Sequence, residues 1–111
     1  PVTARVAALC DVIKVPAVAY RAPARIDTPA LLLSGALDPV TPPRRAEATA
    51  RSMAHAQQLV VAHAGHGISH LGCAPRLLRE FLDQPQQAVA AECLKEIPAP
   101  TFQLGSAGPQ P

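Results

Sequence analysis

Two short apolar runs stand out along the 111 residues, each ending at a glycine-containing turn. The first, "ALLLS" at 30–34, lies between Pro29 and Gly35. The second, "QLVVA" at 58–62, is closed by "HAGHG". A continuous apolar run like the first suits a parallel strand covered on both faces, and the second reads as a β-branched strand. Between them, "PRRAEATARSMAHA" sets Ala46, Thr49, Ala50, Met53 and Ala54 on one helical stripe. Glu47 and Arg51 form an i,i+4 pair on another face. Thr41-Pro42 reads as an N-cap followed by proline at the first helical position. His55 falls at the end of this helix, where a cation suits the dipole. From Cys73 to Gln84, Leu77, Leu78, Phe81 and Leu82 build the apolar face of another helix, with Pro75 in its first turn and Pro85 beyond its end. The order strand, loop, helix, strand, loop, helix predicts an α/β fold with parallel strands and right-handed crossover helices.

The flanks are less patterned. "ARVAALCDVIKV" suits either a helix end or a short strand, and Pro16, Pro23 and Pro29 then punctuate a loop-like stretch. The tail "EIPAPTFQLGSAGPQP" is rich in Pro and Gly, which predicts no regular structure. Three divisions follow: a poorly defined segment at 1–28, an α/β portion at 29–96, and a Pro/Gly-rich tail at 97–111. No internal repeat is visible.

Composition narrows the functional classes. Apolar residues make up 49% of the chain and the mean hydropathy is +0.14, which excludes disorder throughout. Aromatics are only 3% and Trp is absent, so Ala, Leu and Val do the packing. The net charge of +2 comes from scattered residues, and no Lys/Arg run marks a nucleic-acid partner. No apolar stretch approaches a membrane span. The start "PVTARVAALCDVIKVPA" has neither the layout of a signal peptide nor an initiator Met, which suggests a processed or truncated product.

The candidate chemistry sits just past the two strands. Asp38 follows the first and His66 the second, and adjacent parallel strands bring such loops together. An imidazole works best as a base when a carboxylate fixes its tautomer and stabilises its charged form. In the chain order Ser…Asp…His the acid precedes the base, as Asp38 precedes His66. Gly65 and Gly67 permit a tight turn around His66. Each residue alone also suits a blander role: Asp38 in turn chemistry, His66 on the surface. His63 and His70 flank His66, yet "HAGHGISH" has the wrong frame for a zinc helix, so neither a metal nor a cofactor is expected. Arg44 and Arg45 read as solvated. Cys73 and Cys93 enclose the last predicted helix, either as buried thiols or as a bridge, while Cys10 stands apart.

"LLLSGALDPVTPP" followed by "VVAHAGHG" resembles the C-terminal part of the α/β-hydrolases. It is most similar to the secreted tripeptidyl aminopeptidase-like branch, related to prolyl iminopeptidases. "CAPRLLREFLDQP…AECL" resembles the terminal helix of that branch, bracketed by two cysteines, and "IPAPTF" its proline-rich ending. The resemblance covers about residues 28–104. It implies an incomplete α/β-hydrolase sheet, with Asp38 as triad acid, His66 as triad base and Cys73–Cys93 as a disulfide. It also implies a secreted or periplasmic location and a peptide substrate cleaved near its N-terminus, with an ester or amide as the close alternative.

The chain departs from the family in having no G-x-S-x-G nucleophile elbow and no oxyanion-hole segment. Where a Trp often follows the cysteine matching Cys10, this chain reads "CDVIKVPA". The expected partner is therefore an upstream part of the same protein carrying the nucleophile, and the chain alone is expected to be inactive. The contrasting expectation is a non-catalytic binding or structural module on a hydrolase-like scaffold.

Overall fold

The computed structural model describes residues 2–14, 16–21, 24–102, 105, 106 and 108. A helix α1 (Val2–Ile13) precedes strand β1 (Ala30–Gly35), helix α2 (Pro43–Ala50), strand β2 (Ala56–Val61), helix α3 (Ala74–Asp83) and a 3-10 turn, η1 (Glu92–Glu96). β1 and β2 pair in parallel and in phase, from Ala30 opposite Ala56 to Gly35 opposite Val61. The result is a mixed α/β fold around a small two-stranded parallel sheet. The ambiguous N-terminal stretch is helical as far as Ile13.

The sheet has two unlike faces because side chains alternate along a strand. Leu59 and Val61 are buried, whereas Val60 between them is exposed. Leu59 and Val61 join Ala64, Ile68, Ala74, Leu77, Val89 and Leu94 in one core, with Leu31, Leu33 and Phe81 packed against it. Burying a Leu or Val side chain is worth about 1.5–3 kcal/mol, so this face supplies most of the cohesion. α2 lies against both strands, and the Gln58 side-chain amide donates to the Pro43 carbonyl at 3.0 Å. In the 30–34 run, expected to be covered on both faces, Leu31 and Leu33 pack on the core and α2 lies against the strand, while Val60 in β2 stays open. In α3 the apolar face is narrower than the pattern suggested. Leu77 is buried and Phe81 packs on the core, but Leu82 is turned outward and exposed.

The stripe "PRRAEATARSMAHA" is not one continuous helix. α2 stops at Ala50, where Ser52 N–H donates to the Thr49 carbonyl and Met53 N–H to that of Ala50. The Ser52 hydroxyl donates to the Thr49 carbonyl as well, at 2.8 Å. A serine hydroxyl competing for a helix carbonyl favours such an end. Met53 instead forms a parallel bridge with Ile26, and His55 lies beyond the helix, just before β2. The N-terminus also moves by one residue: Pro42 takes the cap position without a side-chain hydrogen bond, and Pro43 opens the helix. β2 begins two residues earlier than the apolar run and ends at Val61.

Candidate active site

Both loops leave the sheet at the carboxyl ends of the strands. Backbone hydrogen bonds join them: Ala36 N–H donates to the Val61 carbonyl at 2.9 Å, and Leu37 N–H to that of Ala64 at 3.0 Å. The approach is so close that a Cβ at Gly35 would lie 2.1 Å from the Gly65 carbonyl oxygen. Glycine is the residue that lets this junction close. On the far side of His66, Gly67 adopts φ +80°, a left-handed turn suited to glycine.

Asp38 is nearly inaccessible, with 6% of its surface exposed. Its Oδ1 accepts from the backbone N–H of Val40 at 2.8 Å and of Thr41 at 3.0 Å. Pro39 has no N–H to offer, and the aspartate folds the chain around it as turn chemistry does. Oδ2 accepts from the Thr41 hydroxyl at 2.7 Å and from His66 Nδ1 at 2.9 Å. The His66 side chain is 63% exposed. Nδ1 is thus engaged, while Nε2 has no partner among the described residues.

These contacts hold the Asp38 carboxyl well below the usual carboxylate range. The Thr41 hydroxyl contributes most; burial opposes it, and the Thr41 N–H, the His66 ring and the Val40 N–H add to it. A depressed carboxyl stabilises the fold at pH values above its unfolded range, and that contribution is lost as pH falls through the depressed value. At neutral pH Asp38 is an anion with every lone-pair direction engaged near the imidazole. Such a pair can fix a ring tautomer, keep Nε2 free to accept a proton, and stabilise the imidazolium that forms.

The structure thus brings Asp38 and His66 together. It also joins Cys73 and Cys93 in a disulfide with a Cα–Cα distance of 6.3 Å. The Cys10 side chain lies outside the described residues. His63 and His70 are exposed on the His66 loop, and no group of three metal-ligating residues occurs among the described residues. Sequence reasoning assigned Thr41 to capping α2. Its hydroxyl instead contacts both Asp38 Oδ2 and His66 Nδ1, the latter at 3.2 Å. The signal for this was present in "DPVT", where the hydroxyl lies three residues after the carboxylate.

The mixed α/β scaffold is of the hydrolase type. Over residues 2–93 the chain matches the TAP-like protein family of α/β-hydrolases, and it belongs to that family. No curated protein and no solved structure matches it. The disulfide is compatible with an extracellular location, and no helix among the described residues is long and apolar enough to cross a membrane.

Proposed function

We propose that this chain is the C-terminal portion of a secreted serine hydrolase and supplies the acid and base of its triad. The observation that carries this reading is the 2.9 Å hydrogen bond from the exposed His66 ring to the buried Asp38 carboxylate. In the complete enzyme, His66 Nε2 takes the proton of a serine hydroxyl held by upstream sequence as that oxygen attacks a carbonyl carbon. The imidazolium, stabilised by Asp38, then protonates the leaving amine as the C–N bond breaks. In the second half, Nε2 accepts a proton from the water that cleaves the acyl-enzyme and returns it to the serine. By family resemblance the substrate is a peptide with a free N-terminus and the enzyme an aminopeptidase. The 111 residues alone hold no G-x-S-x-G elbow and are therefore inert in acyl transfer.

The test uses the full-length protein. Asp38→Asn should lower kcat by about 10⁴-fold and His66→Ala by about 10⁶-fold while circular dichroism stays unchanged. Near-normal turnover in His66→Ala would overturn the assignment. Acetylating the N-terminus of a peptide substrate should abolish cleavage; equal cleavage of blocked and free peptides would replace the aminopeptidase reading with a broader amide or ester hydrolase.

A further inference from the structure

We propose that Thr41 is a positioning residue that selects the tautomer of His66 through a hydroxyl spanning the carboxylate and the imidazole. Its importance for turnover rests on the function proposed above, but the geometry stands independently of it. Three polar atoms form a closed triangle: Thr41 Oγ1 to Asp38 Oδ2 at 2.7 Å, His66 Nδ1 to Asp38 Oδ2 at 2.9 Å, and Thr41 Oγ1 to His66 Nδ1 at 3.2 Å.

A hydroxyl has one proton and two lone pairs. The ionised carboxylate is the stronger acceptor and the shorter contact, so the Thr41 proton goes to Oδ2. What Thr41 then turns towards His66 is a lone pair. Nδ1 faces two acceptor oxygens, Oδ2 and Oγ1, and both are satisfied by an Nδ1–H. A bare Nδ1 would face lone pairs on both sides. The opposite tautomer would need Thr41 to swing its proton to Nδ1 and abandon the carboxylate. Thr41 therefore acts twice: its proton holds the carboxylate ionised, and its lone pair gives the Nδ1–H a second acceptor. Nε2 is left bare, as a base must be.

The loop supports this assignment. Oδ1 is held by two backbone N–H groups from the same turn, so the carboxylate plane is fixed without the hydroxyl. Removing the hydroxyl should leave the Asp38 backbone contacts in place and alter only the triangle. A purely structural threonine would instead affect stability and leave the ring unchanged.

The experiment is long-range proton–nitrogen NMR of the 111-residue chain labelled at histidine, on the alkaline side of the imidazole titration. The wild-type His66 should carry its proton on Nδ1. Thr41→Val should lower the ratio of Nδ1–H to Nε2–H forms about fivefold, the worth of one neutral hydrogen bond, and Thr41→Ser should restore it. Thr41→Ala serves the same purpose if Val distorts the turn. Asp38→Asn is the reference. If Asp38→Asn changes the ratio and the Thr41 variants leave it at the wild-type value, the Thr41 role is overturned and the Asp38–His66 pair stands. If Asp38→Asn also leaves it unchanged, the pair itself fails, and with it the proposed function. In the full-length enzyme Thr41→Val should lower kcat with KM held; a change in KM alone would overturn the role.

Discussion

The two strand-end loops and the N-terminal helix differ in what each finds to pack against. At the loops, the buried Asp38 has every contact it needs within the chain, and Ala64 and Ile68 beside His66 are buried. In α1, Leu9 is 58% and Val12 77% exposed, and Val6 and Ile13 are also open. The radius of gyration is 18.6 Å, against about 13 Å for a compact domain of this length. Similar apolar content therefore has opposite consequences. From β1 onward it closes a core; in α1 it presents a surface. An unpartnered apolar surface of this kind favours association. The proposed function accounts for the difference, since a chain that completes a larger sheet carries surfaces meant for that sheet.

The contrast can be broken or sharpened by substitution. The largest stability effect should come from the disulfide, which ties the start of α3 to η1 across 20 residues. Replacing both cysteines by Ala should cost about 3 kcal/mol by the chain-entropy account, read from the urea midpoint. An unchanged midpoint would mean that the core holds η1 without the bridge. Next is Gly35→Ala, which forces a methyl group against backbone at the loop junction. A loss of about 1–3 kcal/mol is expected, with displaced His66 resonances. If the His66 signals stay in place, the two loops are less tightly joined than their hydrogen bonds imply. The smallest effect belongs to α1. Leu9→Glu should shift stability by less than about 0.5 kcal/mol but reduce self-association in sedimentation. A large destabilisation would erase the contrast, by showing that α1 packs after all.

Much of the α/β order is legible in the sequence because each strand carries a short apolar run, ended at Gly35 in β1 and followed by the glycine-containing "HAGHG" loop after β2. The approach of Asp38 and His66 follows from parallel strands alone, since their loops must leave on the same side. What the pattern hides has specific causes. α2 ends early because the hydroxyl of Ser52 competes for the Thr49 carbonyl, whereas the alanine stripe continues past that point. Leu82 lies on the helical stripe but outside the core, because hydropathy records what a residue prefers and not how wide its partner is. Thr41 looked like a cap because threonine before proline suits a helix start equally well. Only the fold shows that its hydroxyl faces the carboxylate and the imidazole.

One contact implies an uneven tolerance to drift. The Gln57 carboxamide donates to the Val89 carbonyl and accepts from the Val89 N–H, each at 2.8 Å. One side chain thus does for this segment what a neighbouring strand would do with its peptide groups. Position 89 contributes only backbone to those bonds and can exchange among apolar residues that fill the same space. Position 57 contributes the chemistry itself, and few side chains can both give and accept in one plane. Across a family, variation at 89 should therefore run freely within its size class, while position 57 stays fixed for a residue 32 positions away.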